Sequence, residues 1–188
     1  MRSFVAVELP AAVRGELARR VEELRHELPP ARWVPAESCH LTLLFLGEIS
    51  PSQEAALTAR LGGVFRRAAA FDLRLEGAGC FPPRRPARVA WVGLRPAEAL
   101  LELQTEVSRV CLEEVPLERE KRTYRPHLTL ARCRRPWPRE AARRWRAGWS
   151  DHLGQTFTVR EGVLMESRLD PGGATYHPRA RLALGEAR

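Results

Sequence analysis

The chain has 188 residues, 44% of them hydrophobic and 29% charged, the balance of a soluble globular protein, with no apolar run long enough to cross a bilayer as a helix. Its formal charge is +8, carried almost wholly by arginine since Lys121 is the one lysine, and this favours an anionic partner. The first ten residues lack the apolar core and small-residue cleavage site of a secretory signal, so a cytoplasmic location is expected; the four scattered cysteines, Cys39, Cys80, Cys111 and Cys133, have neither zinc-ligand nor C-x-x-C spacing and read as reduced, mostly buried thiols.

Met1 to Pro10 reads as a strand. Val13, Leu17, Val21, Leu24 and Leu28 then recur at helical spacing, and Pro29-Pro30 ends that helix. A short extended piece, Arg32-Trp33-Val34, leads into a strand from His40 that alternates polar and apolar residues and stops at Gly47. Ser50-Pro51-Ser52-Gln53 offers an N-cap serine, proline at the first helical position and a glutamine at the third, a strong helix start. Two strands are expected at Phe71 to Phe81 and Arg88 to Leu94, joined by the basic loop around Arg84 and Arg85. A third helix follows Pro96, with Leu100, Leu103, Val107 and Val110 on one side. A charged connection through Arg119 and Arg122 reaches a second alternating strand at His127; after a proline-rich turn comes a short helix over Arg139 to Arg146. Two strands, Thr156 to Leu169 and Ala174 to Leu184, close the chain as a hairpin through Asp170-Pro171-Gly172-Gly173.

The segment His40-Leu41-Thr42-Leu43 recurs as His127-Leu128-Thr129-Leu130. In a strand the His and Thr of each copy share one face and the leucines the other. Leucines repeat for packing alone, whereas a repeated His and Thr on the opposite face need another reason. His40 is followed 31 residues later by Phe71-Asp72-Leu73, and His127 30 residues later by Phe157-Thr158-Val159, so the chain reads as an internal duplication with approximate repeats 1–95 and 96–188 in a single bilobal domain. The strand at 88–94 either closes the first unit or opens the second. Two imidazoles meeting in a cleft between lobes can serve as general base and general acid near neutral pH without a metal, while Thr42 and Thr129 donate hydrogen bonds to phosphate oxygens.

The paired motifs, the opening Arg2-Ser3-Phe4-Val5-Ala6-Val7, Trp33-Val34-Pro35 and the strings His40 to Gly47 and Arg125 to Arg132 resemble the 2H phosphoesterase superfamily, in its RNA 2',3'-cyclic phosphodiesterase branch, also called 2'-5' RNA ligase. The resemblance covers nearly the whole chain. It implies an α+β bilobal fold of two mainly antiparallel sheets, helices outside and one H-x-T strand from each lobe in a central cleft. It implies metal- and cofactor-free hydrolysis of RNA 2',3'-cyclic phosphate ends to 2'-phosphates, with 2'-5' ligation of tRNA halves as a side reaction. On this chain His40 would be the proton donor, His127 the proton acceptor, and Thr42 and Thr129 phosphate ligands, the donor and acceptor roles being geometrically interchangeable.

Further substrate contacts are expected at Arg122, Tyr124, Phe45, Ser167 and Tyr176. Tyr124 and Phe45 are candidates to stack on a base, core packing being the alternative for Phe45. Strand alternation turns Arg132 away from His127 unless a bulge intervenes. His26, His152 and His177 fall outside the motifs and read as structural or exposed. Arg84, Arg85, Arg88, Arg119, Arg122, Arg125, Arg134 and Arg135 would form a basic rim for RNA, with end-group rather than sequence recognition. A monomer with no membrane partner is expected. Rival readings are hydrolysis of a small cyclic nucleotide such as ADP-ribose 1'',2''-cyclic phosphate, and a noncatalytic nucleotide- or RNA-binding module.

Overall fold

Strand β1 (Arg2–Glu8) is buried on both faces over Ser3 to Val7, which marks it as a central strand. Our computed structural model describes residues 1–83, 86–95, 97–117, 123–151, 153–170 and 173–186. After β1 come α1 (Ala11–Leu24), β2 (Ala31–Trp33), β3 (His40–Glu48), α2 (Pro51–Arg67), β4 (Phe71–Phe81), β5 (Ala87–Leu94) and α3 (Glu98–Glu114). Then follow β6 (His127–Trp137), α4 (Arg139–Ala147), β7 (Thr156–Val159), β8 (Glu161–Asp170) and β9 (Gly173–Ala183).

The helix start expected at Ser50 forms a full capping box: the Gln53 amide donates to Ser50 Oγ at 3.2 Å and the Ser50 amide to Gln53 Oε1 at 2.9 Å. The apolar stripes of the helices, including Leu57, Leu61 and Phe65 of α2 and Leu100, Leu103 and Val107 of α3, pack with the sheet in one large core. A smaller cluster of Phe4, Ala6, Val163 and Met165, joined by Tyr176, occupies a separate place on β1, β8 and β9.

The strands pair antiparallel in the order β7-β4-β5-β6-β3-β1-β8-β9, with β2 added to β6. The two H-x-T strands are the middle of this path. On either side, β1 flanks β3 and β5 flanks β6, so β5 occupies in the second half the place β1 holds in the first. Beyond these flanks, β8 from the C-terminal end of the chain pairs with β1, whereas β4 pairs with β5, which follows it in the chain.

Two segments differ from expectation. Residues 156–169 are not one strand but two, divided at Arg160: β7 pairs with β4 at one end of the path and β8 with β1 near the other. Since a single residue joins them, the sheet curls until its ends approach. Residues 134–137, expected as a turn, extend β6, because Trp137 pairs with Ala87 and sinks its indole into the core against Trp33 and Trp145. Trp145 in turn donates from Nε1 to the Trp91 carbonyl at 3.1 Å, tying α4 to β5.

Candidate active site

Each motif histidine stands at the first residue of its strand. His40 Nδ1 lies 2.8 Å from the Ser38 carbonyl oxygen and His127 Nδ1 lies 2.7 Å from that of Arg125. A carbonyl only accepts, so Nδ1 carries the proton in both rings, and Nε2 is left as the atom that gains or gives one. β3 and β6 pair through Leu41 and Leu128. In that antiparallel register His40 stands opposite Thr129, and Thr42 opposite His127. The two histidines are then diagonal neighbours, about 7–8 Å apart at the backbone, a span that leaves room for one phosphate between their rings.

Each imidazole is set among aromatic rings. Phe4 stacks on His40 at 4.8 Å and Tyr176 meets it edge-on at 4.9 Å. Phe81 meets His127 edge-on at 5.1 Å, with Trp91 at 6.2 Å. The Trp91 ring can lie there because its cross-strand partner is Gly79, where a Cβ would come within 2.4 Å of the indole. Burial holds the His40 pKa below the ordinary histidine value, and the nearby Arg132 charge lowers it further, against the raising effects of the Ser38 carbonyl and Glu8.

Arg132 corrects the expectation from strand alternation. In β6, Thr129 pairs with Trp91 but Ala131 pairs with Ala90, so Leu130 is an extra, unpaired residue. This bulge reverses the parity and turns Arg132 to the face of His127 and Thr129. The same bulge sits at the same motif position in β3, where Thr42 pairs with Ala6 and Leu44 with Val5, leaving out Leu43. Phe45 is thereby brought beside Phe4, at 5.9 Å, and is 62% exposed instead of joining the core. The fifth residue after each histidine thus faces the cleft, a phenylalanine in one strand and an arginine in the other.

Beside His40 a cavity of about 340 Å³ continues the cleft. Phe4, Phe45, Ser167 and Tyr176 line it, together with Arg2 and the cross-strand pair Arg32 and Arg132. Leu169, 71% exposed, forms part of its lip. Ser167 and Tyr176, themselves a cross-strand pair, both line this cavity. Tyr124 has a different position: its ring packs on the main core and its hydroxyl donates to the Thr42 carbonyl at 2.9 Å, while burial raises its pKa. It braces the approach to the second motif against the first.

Arg122, like Arg84, Arg85, Arg119 and His152, lies outside the described residues. Arg88, Arg125, Arg134 and Arg135 are exposed. His26 is paired on the surface with Glu22 at 3.5 Å, and His177 is exposed on β9. No cluster of three potential metal-ligating side chains occurs among the described residues, and no helix is long and apolar enough to cross a membrane. Phe4, Phe81, Trp91, Arg2 and Arg32 are not among the expected site residues, since their positions beside the histidines and the cavity depend on strand pairing far along the chain.

Residues 13–171, which include both H-x-T strands, match the 2'-5' RNA ligase superfamily. The chain belongs to this family. Its relatives include an RNA 2',3'-cyclic phosphodiesterase of Geobacillus stearothermophilus, 33% identical over 89% of this chain; the chain spans about half, 52%, of that relative's length. Another of the same name, from Archaeoglobus fulgidus, is 33% identical over 94% of this chain and 96% of its own. Among solved structures, TT0787 of Thermus thermophilus superposes with a TM-score of 0.84 at 28% identity, covering 100% of both chains. Escherichia coli LigT complexed with 3'-AMP gives 0.77 at 29% identity, covering 97% of each. These likenesses extend over the α+β fold as a whole, with its four helices and curled antiparallel sheet.

Proposed function

We propose that the protein hydrolyses RNA 2',3'-cyclic phosphate ends to 2'-phosphates, using His127 as general base, His40 as general acid and no metal. The observation that carries this reading is the matched pair of imidazoles, each with Nδ1 committed to the carbonyl two residues before it and Nε2 left for proton transfer, on adjacent strands that also bear Thr42 and Thr129. The relatives named for this activity support it, and the 3'-AMP held by LigT supports a nucleotide ligand.

The division of labour follows from where a nucleoside has room. Attack on phosphorus runs in line, with water entering opposite the departing 3'-oxygen, so the ribose lies on the leaving-group side. The cavity lined by Phe4, Phe45 and Tyr176 adjoins His40. A base stacked on Phe45 and a ribose in that cavity bring the 3'-oxygen to His40 Nε2 and leave the His127 side for water. His127 removes the proton of the water as the new P–O bond forms, and His40 protonates O3' as the old one breaks. Thr42, Thr129 and Arg132 stabilise the non-bridging oxygens, where charge accumulates. Low pKa in the free protein does not debar His40 from the acid role, since a phosphate anion against Nε2 favours imidazolium. Arg122 and Ser167 are assigned to the substrate's sugar and phosphate.

An RNA cut by attack of its own 2'-hydroxyl leaves a 2',3'-cyclic end, so that class of cleavage supplies the substrate. Turnover of a 2',3'-cyclic nucleotide in EDTA, with the product isomer resolved, tests the proposal. Retention of full rate with the 2'-phosphate as product is expected. Loss of rate in EDTA, or a 3'-phosphate product, would overturn it.

A further inference from the structure

A second cavity, of about 480 Å³, opens between α4 and the end of the β4–β5 pair, and nothing in the mechanism above uses it. We infer that it docks a second RNA strand, one whose 5'-hydroxyl enters on the His127 side of the bound cyclic phosphate. This inference rests on the proposed acid and base roles.

The lining is chemically one-sided. Arg139, Arg143 and Arg146 of α4 face Pro82, Pro83 and Cys80 across it, and no acidic side chain borders it among the described residues. Spacings of four and three residues put the three guanidinium groups on one face of the helix, along about 10 Å of its axis. Like charges so placed repel, and no apolar burial compensates, because all three arginines are exposed. Arg143 pairs with Glu140 at 2.9 Å, but both partners are largely in solvent, where such a pair neutralises little. Cys80 adds no counter-charge: burial pushes its thiol up to about 11. The volume and the length of the charged stripe exceed one phosphate and suit a stretch of phosphodiester backbone, with the proline pair as an apolar wall for sugar or base.

Continuity with the catalytic cleft gives the strand its direction. Phe81 lies between Cys80 and Pro82 in the chain, and its ring meets His127 edge-on at 5.1 Å. The wall of the cavity and the ring against the proposed base are thus consecutive residues. If a 5'-hydroxyl stands where water would, its proton passes to His127 as the O5'–P bond forms, while the P–O3' bond breaks and O3' takes the proton of His40. The product is a 2'-5' phosphodiester, and no co-reactant is consumed. The strand that supplies this hydroxyl leaves the phosphate past Phe81, toward the three arginines. The nucleolytic attack that makes a cyclic end also makes a 5'-hydroxyl end, so both strands come from one cleavage.

The test is anisotropy of a fluorescent 5'-hydroxyl oligoribonucleotide with an ordinary 3'-hydroxyl, titrated with wild type and with the triple variant Arg139→Ala, Arg143→Ala, Arg146→Ala. Wild type should bind it, and should still bind it when a saturating nucleoside 2'-phosphate fills the cleft. In the triple variant affinity should fall at least tenfold and the salt dependence of log affinity should lose a slope of about 2. The triple Arg→Lys variant should bind nearly as wild type, and hydrolysis of a 2',3'-cyclic mononucleotide reports that each variant is folded. No binding by wild type, equal binding by the triple Ala variant, or complete displacement by the 2'-phosphate would each overturn the inference. A wild type that binds the strand as expected but leaves cyclic nucleotides intact would instead refute the proposed hydrolysis.

Discussion

At His40, burial and the Arg132 charge favour the neutral imidazole, and the Ser38 carbonyl and Glu8 favour the imidazolium. The balance lies on the neutral side. A general acid must be protonated, so the free protein loses competence as pH rises through the His40 pKa. In kcat/KM, which reports the unliganded state, one limb of the profile should therefore lie below the ordinary histidine value of about 6.5. In kcat the same limb should move upward, because the bound phosphate stabilises imidazolium. A kcat/KM profile with both limbs above that value would contradict the assignment. Arg132→Ala removes one of the charges that lower His40 and one donor to the phosphate. It should shift the kcat/KM limb upward and reduce kcat/KM roughly 10- to 100-fold, the worth of a hydrogen bond to a charged group. An unchanged rate would remove Arg132 from the site.

The elements were legible where a local rule decides them. Ser50 and Gln53 predict the start of α2 from their spacing, and His40-Leu41-Thr42-Leu43 predicts its strand from alternation. What escaped the sequence is decided by partners distant in the chain. The bulges at Leu43 and Leu130 exist because β1 and β5 pair with one residue fewer, and no residue type marks them. Alternation without the bulge therefore points Arg132 away from His127. Trp91 gives no motif signal either, since its position depends on the absent side chain of Gly79, one strand away. Gly79→Ala should push the indole off β4 and disturb the Phe81 and His127 rings, costing about 1–3 kcal/mol as overpacking does. Chemical denaturation measures the loss, and a variant as stable as wild type would show that the ring moves freely.

On the scale of the whole molecule, repetition was the legible signal and topology was not. The paired motifs imply a cleft with two equivalent imidazoles, and β3 and β6 do meet through Leu41 and Leu128. The pairing of β8 with β1, from opposite ends of the chain, cannot be read from the motif segments because each strand finds its partner far along the sequence. The two sides are unlike: β9 contributes Tyr176 at His40, whereas β4 contributes Phe81 at His127. On the proposed reading, this asymmetry is what gives otherwise interchangeable histidines distinct tasks. Comparing a natural 2',3'-cyclic nucleotide with a phosphodiester bearing a nitrophenolate leaving group tests those tasks most directly, because nitrophenolate departs without a proton. His40→Ala and His127→Ala should each lower turnover of the natural substrate about 10²–10⁴-fold. On the nitrophenyl ester His40→Ala should recover most of its rate and His127→Ala should not. Recovery by His127→Ala alone, or near-wild-type turnover of the cyclic nucleotide by either variant, would contradict the account.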